Sequence, residues 1–116
     1  MVKLVIESIN TSRETAIKIG TENAQEDYMF VTEKRMAVGE EVIEEWEQEF
    51  EKDEYRIEDY KFIHEDQDII LWKELGSYRD GKRVIKTVSM FLRDGKIWRE
   101  TENRRFIEDE ETLGNY

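Results

Sequence analysis

Val84-Ile85-Lys86-Thr87-Val88-Ser89-Met90-Phe91-Leu92-Arg93-Asp94-Gly95-Lys96-Ile97-Trp98-Arg99-Glu100-Thr101-Glu102 is the stretch that decides the fold. β-Branched and aromatic residues crowd both sides of Asp94-Gly95, as half-buried strands require. A two-residue type I′ reversal needs φ > 0 at both central positions, and Asp-Gly supplies it. The spacing therefore predicts antiparallel strands over residues 84–93 and 97–107. Asp80-Gly81 predicts a second such reversal, preceded by a strand over 69–79, and 55–65 reads as one more. The second half of the chain is an antiparallel meander.

These reversals imply a register. If Arg79 pairs with Lys82, Trp72 faces Ser89 and Glu74 faces Thr87. If Arg93 pairs with Lys96, Phe91 faces Trp98, Ser89 faces Glu100 and Thr87 faces Glu102. Side chains alternate across a sheet. One face is then expected to carry Ile70, Trp72, Glu74, Ile85, Thr87, Ser89, Phe91, Trp98, Glu100, Glu102 and Arg104. The other is expected to be aliphatic, with Leu71, Val84, Val88, Met90 and Ile97. Both carry apolar bulk, so both need cover, and pairing of two copies through one face supplies it.

The first half reads as mostly helical. As a helix Val2–Ile9 places Val2, Val5, Ile6 and Ile9 on one side, with a strand as the alternative. Thr11-Ser12-Arg13-Glu14 has the form of a capping box, with Thr11 as N-cap, and predicts a helix ending near Gly20 with Ala16, Ile17 and Ile19 inward. Residues 28–32, Tyr-Met-Phe-Val-Thr, read as a strand. After Gly39, residues 40–52 place Val42, Ile43, Trp46 and Phe50 at helical spacing. Its glutamates form a solvated face.

The 116 residues are enough for one domain, 1–116, with an acidic tail over 108–116 expected to fray. Lys and Arg total 18, Asp and Glu 29, and the net charge is -11. That balance argues against binding nucleic acid or an anionic membrane surface. The charge is segregated: residues 22–68 are strongly acidic and 73–105 are basic. With no Cys and His64 the sole histidine, disulfides, thiolate chemistry and a histidine-rich zinc site are excluded. Asp66-Gln67-Asp68 lacks calcium-loop spacing and reads as a turn, so no metal is expected. No phosphate loop, dinucleotide fingerprint or Gly-x-Ser-x-Gly elbow occurs, and no cofactor is expected. No apolar run reaches membrane-spanning length, and the N-terminus does not open a signal peptide, so a soluble cytoplasmic protein is expected.

Three stretches, in this order of elements, resemble the nuclear transport factor 2-like superfamily, which includes ketosteroid isomerases, limonene epoxide hydrolases and SnoaL-like polyketide cyclases. They are Gly39-Glu40-Glu41-Val42-Ile43, Asp68-Ile69-Ile70-Leu71-Trp72 and Met90-Phe91-Leu92-Arg93-Asp94-Gly95-Lys96-Ile97. The resemblance covers nearly the whole chain, with a first helix shorter than usual. It implies an α+β, cystatin-like fold: a cone-like curved antiparallel sheet wrapped around N-terminal helices, with a pocket at its open end. It also implies that the last strand sends Glu100 and Glu102 into that pocket, beside Trp72, Glu74, Thr87, Ser89, Phe91 and Trp98.

The function so implied is small-molecule binding, of unknown ligand and without assigned catalysis; a small apolar, polyketide-like or steroid-like ligand fits. The alternative is a cofactor-independent isomerase, cyclase or hydrolase. There Glu33 resembles the family's base, with Glu102 and Thr87 or Ser89 polarising the substrate. A third reading is a protein-interaction module that uses the sheet. A homodimer through the convex face is expected in any of these. Against catalysis, Glu74, Glu100 and Glu102 could instead form an exposed charge ladder with Arg99, Arg104 or Lys73.

Overall fold

A computed structural model describes residues 2–9, 12–32, 36–39, 41, 42, 44 and 55–116. Helix α1, Val2–Ile9, forms where the sequence places it, and buries Val2 and Ile6, one turn apart. Helix α2, Arg13–Glu22, starts one residue later than the capping box predicts. Ser12 is the N-cap: its Oγ accepts from the Thr15 amide at 3.4 Å and lies 2.8 Å from Thr15 Oγ1. Thr11 lies outside the described residues. The helix runs two residues past Gly20 because Asn23 closes it, its amide and its Nδ2 both donating to the Ile19 carbonyl. Of the helix predicted over 40–52, Glu41, Val42 and Glu44 are helical and Val42 is fully buried. Ile43, Trp46 and Phe50 lie outside the described residues.

Six strands follow: β1 (Ala24–Thr32), β2 (Met36–Val38), β3 (Arg56–Glu65), β4 (Ile69–Ser77), β5 (Arg83–Arg93) and β6 (Lys96–Ile107). They form one curved, unclosed sheet in the order β2-β1-β6-β5-β4-β3. The meander β3 to β6 is antiparallel as expected, but β1 runs parallel to β6, so the sheet is mixed. The short β2 carries no strand signal of its own in the sequence and forms by pairing with β1. Between β3 and β4, Asp66 Oδ1 accepts from the Asp68 and Ile69 amides, and Oδ2 meets His64 Nε2 at 2.8 Å. His64 and Asp66 thus form an exposed turn.

The two Asp-Gly reversals differ. At the second, Asp94 (φ 54°) and Gly95 (φ 79°) both take the left-handed region, and Arg93 pairs with Lys96 as expected. At the first, Gly81 has φ 90° but Asp80 is not among the positive-φ residues. The Tyr78 amide donates to the Lys82 carbonyl and the Gly81 amide to that of Tyr78, each at 2.9 Å. This is a three-residue loop ending in a left-handed glycine, which is the next commonest hairpin. It shifts the register by one: Trp72 faces Val88 and Glu74 faces Lys86.

A second one-residue shift lies between β5 and β6. Leu92 pairs with Ile97, but Phe91 pairs with Arg99, leaving Trp98 as the extra residue of a bulge. Val88 then faces Glu102, and Met90 faces Glu100. The two shifts add up to two residues between β4 and β6: across β5, Trp72 lies level with Glu102 instead of Glu100. A two-residue slip preserves the alternation, so those strands keep their predicted inner residues apart from the bulged Trp98, whereas β5 is turned over. Val84, Lys86, Val88 and Met90 face inward, and Ile85, Thr87, Ser89 and Phe91 face outward.

The helices cover the inner face. There Val2 and Ile6 meet Tyr28, Val42, Tyr55, Ile57, Ile70, Trp72, Val84, Val88, Met90 and Ile97 in one core. The tail lies against the sheet. A 3-10 turn at Leu113–Asn115 buries Leu113 against Leu75 and Ile85 on the outer face.

Candidate functional site

The inner face carries its polar groups at the centre of β4, β5 and β6. Glu74, Lys86 and Glu100 are buried, with exposures of 6%, 4% and 5%. A charged group taken from water costs several kcal/mol unless paired and hydrogen-bonded. Each of these has partners. The Tyr55 hydroxyl and Trp72 Nε1 donate to the two oxygens of Glu74 at 2.5 and 2.9 Å. The Tyr28 hydroxyl donates to Glu100 Oε2 at 2.8 Å. Glu102 lies between Lys86 Nζ, at 3.7 Å, and Arg104 Nε, which donates to it; Arg104 Nη1 continues to the Tyr78 hydroxyl at 3.1 Å. Lys86 Nζ also sits 3.8 Å from the centroid of the Tyr55 ring, a cation–π contact. Among the described residues, no buried side-chain nitrogen or oxygen lacks a partner.

Tyr55 reaches Glu74 because of Gly76. A Cβ on Gly76 would stand 2.1 Å from the Tyr55 ring, so only glycine lets the ring lie against β4. The ring then shields Glu74 and supplies the face over which Lys86 sits.

Burial pushes the Glu100 carboxyl up to about 8, and the nearby carboxylates of Glu102 and Glu74 add to the rise. The Tyr28 hydrogen bond and the Lys86 charge pull it back only in part. At neutral pH Glu100 is mostly a neutral acid. The phenols of Tyr28 and Tyr55 are raised well above their ordinary 10, first by burial and then by their carboxylate partners. They remain donors throughout the physiological range.

The structure brings together four of the residues expected at the site: Trp72, Glu74, Glu100 and Glu102. Thr87, Ser89 and Phe91 lie on the outer face, a correction that follows from the three-residue turn. Trp98, the bulge residue, lies between the guanidiniums of Arg93 and Arg99, 5.1 and 4.2 Å from its ring centroid, while Ile97 takes the buried place. Glu33 lies outside the described residues. The outward ladder of Glu74 and Glu100 with Arg99 or Lys73 does not form; Glu102 and Arg104 do pair, on the inner face. Tyr28, Tyr55 and Lys86 escaped the sequence reading. Gly76 within an apolar strand was the available signal for a close approach.

A separate open concavity of about 530 Å³ lies at the β4–β5 turn, lined by Asp80, Lys82, Arg83, Phe106 and Asp109 among others. None of the buried carboxyls borders it. Among the described residues there is no cluster of three metal-binding side chains and no helix long and apolar enough to cross a membrane.

No protein-family profile and no curated protein matches the chain. Solved structures do. A proposed polyketide cyclase from Sinorhizobium meliloti is similar at 21% identity and TM-score 0.71, over 87% of this chain and 91% of that one. A proposed ketosteroid isomerase from Kribbella flavida aligns at 13% identity and TM-score 0.71, over 92% and 76%. A de novo designed protein with a curved β-sheet aligns at 16% identity and TM-score 0.66, over 94% and 83%. The chain has the nuclear transport factor 2-like fold.

The raised Glu100 has a thermodynamic signature. The folded chain holds this proton to about pH 8, whereas the unfolded chain releases it near its ordinary 4.5. Between those values the unfolded state binds fewer protons. Stability from this group is therefore full below 4.5, falls as pH rises by up to about 1.4 kcal/mol per unit, and levels off above 8. Glu100→Gln keeps an acceptor for Tyr28 and removes this term. Urea denaturation between pH 5 and 9 is expected to show the variant gaining on the parent as pH rises. Parallel profiles would contradict the burial of an ionisable Glu100.

Proposed function

We propose that this protein binds a small, largely apolar organic ligand on the inner face of its sheet, with Glu100, Tyr28, Lys86 and Glu102 supplying the polar contacts. A polyketide-like or steroid-like compound fits this description. The observation that carries the reading is Glu100: a carboxylic acid kept neutral inside an apolar wall, beside a phenol and within a web of fixed donors. Such a group recognises a neutral carbonyl or hydroxyl and rejects an anion by like charge from Glu74 and Glu102. The protein names attached to the similar structures, polyketide cyclase and ketosteroid isomerase, agree with a ligand of this class. A cytoplasmic location goes with it.

The same observation favours one second reading, cofactor-independent acid–base catalysis as an isomerase, cyclase or hydrolase. A carboxyl with pKa about 8 is matched to proton transfer near neutral pH. Glu100 then replaces Glu102 as the acid, because Glu102 is committed to Lys86 and Arg104. Thr87 and Ser89, on the outer face, have no part in it. Glu33 remains a candidate base by family resemblance alone.

The test is a thermal-shift panel of steroid enones and polyphenolic ketones at pH 6 and pH 9. A ligand at about 100 times its Kd stabilises by about 2.7 kcal/mol. A bound ligand is expected at pH 6, weakened when Glu100 ionises at pH 9 and insensitive to pH in Glu100→Gln. A panel without any hit sinks the reading. For the catalytic reading, the inflection in a pH–rate profile should fall near 8 and vanish in Glu100→Gln.

A homodimer through the outer face is part of the proposal. Leu71, Phe91 and the 36%-exposed Ile69 are apolar groups there, outside the area under the tail. The sequence reading assigned Val88 to this surface, but Val88 is 2% exposed and belongs to the core. Phe91→Lys is the informative substitution. Sedimentation is expected to show a parent dimer and a folded Phe91→Lys monomer; a monomeric parent at high concentration contradicts the proposal.

A further inference from the structure

The acidic segment after β6 is held like a ligand. Arg83 Nη1 donates to the carbonyls of Glu108, Asp109 and Glu111, while its Nε pairs with Glu58 on β3 at 3.2 Å. Lys73 Nζ donates to the Tyr116 carbonyl at 2.8 Å, and the Arg105 guanidinium lies 5.0 Å from the Tyr116 ring centroid. Between these cations Leu113, 4% exposed, enters a floor of Leu75 and Ile85, flanked by Ile107. Strand register places all six sheet residues on the outer face: Leu75 opposite Ile85, Ile85 opposite Arg105, and Arg83 opposite Ile107.

The segment is pre-shaped for this seat. Glu111 accepts from the Glu108 amide at 2.9 Å and from the Tyr116 hydroxyl at 2.8 Å, folding the nine residues back on themselves. Charge is complementary, with four consecutive acids, Glu108 to Glu111, lying over a basic part of the chain. Recognition runs through backbone carbonyls, one leucine anchor and one tyrosine. None of these contacts needs the segment to be covalently joined to β6.

We propose that this groove on the outer face is a docking site for an acidic peptide with a leucine and a tyrosine three residues apart, closed in cis by residues 108–116 and open to the same segment of a second copy once those residues lift off. The short tether gives the cis segment an effective concentration on the order of millimolar. The parent chain therefore stays closed, and binding in trans becomes visible when the cis copy is removed or weakened. The surface is distinct from the inner face, and its fate is independent of the ligand proposed there.

The experiment uses a fluorescein-labelled synthetic peptide of residues 108–116, read by anisotropy against three proteins. These are the parent, a chain ending at Ile107, and the full chain with Leu113→Asp, which puts a carboxylate over the apolar floor. Saturable binding is expected for the two altered chains, at least tenfold tighter than for the parent. Arg83→Gln in the shortened chain should weaken it at least tenfold, as should 0.5 M salt (roughly a 4 Å screening length). A peptide carrying Ala in place of the leucine should not bind. A shortened chain that is folded by circular dichroism yet binds nothing overturns the proposal, and so does equal binding by the parent. Failure of both altered chains to fold also overturns it, because the segment would then be part of the core rather than a displaceable ligand.

Discussion

Three carboxyl groups lie on the helix-covered face of one sheet, and the rest of the inner architecture answers to that burden. Carboxylates lose several kcal/mol of hydration when buried. Glu74 is met by a phenol and an indole, and Glu102 by a lysine and an arginine. Glu100 has a phenol and then keeps its proton. Tyr55 serves two of these needs at once, donating to Glu74 and lying under Lys86, and it can do so only because Gly76 has no side chain. The interior is therefore specified by complementarity among polar groups as much as by apolar packing.

Much of the architecture was legible in the sequence, because strand alternation and Asp-Gly turns are local signals. The meander β3 to β6 and the common face of Glu74, Glu100 and Glu102 follow from them, the helix at Val2–Ile9 from its apolar spacing, and the inward direction of that face from the family resemblance. Yet the common face came out right for an incomplete reason. Asp80 does not adopt the left-handed conformation, so the first turn holds three residues instead of two, and a bulge at Trp98 adds one more on the far side of β5. The two displacements sum to two residues between β4 and β6, which keeps their faces, and leave β5 inverted. Hence Thr87, Ser89 and Phe91 exchanged places with Lys86, Val88 and Met90. A two-residue and a three-residue loop share the same Asp-Gly signature, so the pattern alone leaves the choice between them open. Tyr28 and Tyr55 were invisible because their partners are 72 and 19 residues away in the chain.

The sheet separates two kinds of chemistry. Its inner face is satisfied, desolvated and preorganised, the condition under which electrostatic interactions with a ligand are strongest. Its outer face is divided between an apolar area near Leu71 and Phe91 and a cationic groove filled by the chain's own acidic segment. The basic second half of the sequence thus meets its counter-charge within the molecule. Likeness to a designed curved-sheet protein and to proteins named for enzymes, at 21% identity or less, shows the fold alone. The case for function therefore rests on Glu100 and its neighbours, not on the fold.

The most direct measurement is the ionisation of that one side chain. The carboxyl carbon of Glu100 can be followed by NMR from pH 4 to 10 in selectively labelled protein, with Glu100→Gln assigning the resonance. A midpoint near 8, well apart from the exposed glutamates, is the result this account requires. A midpoint near 4.5 would mean that Glu100 is solvated, and the buried acid on which the proposed binding site depends would not exist.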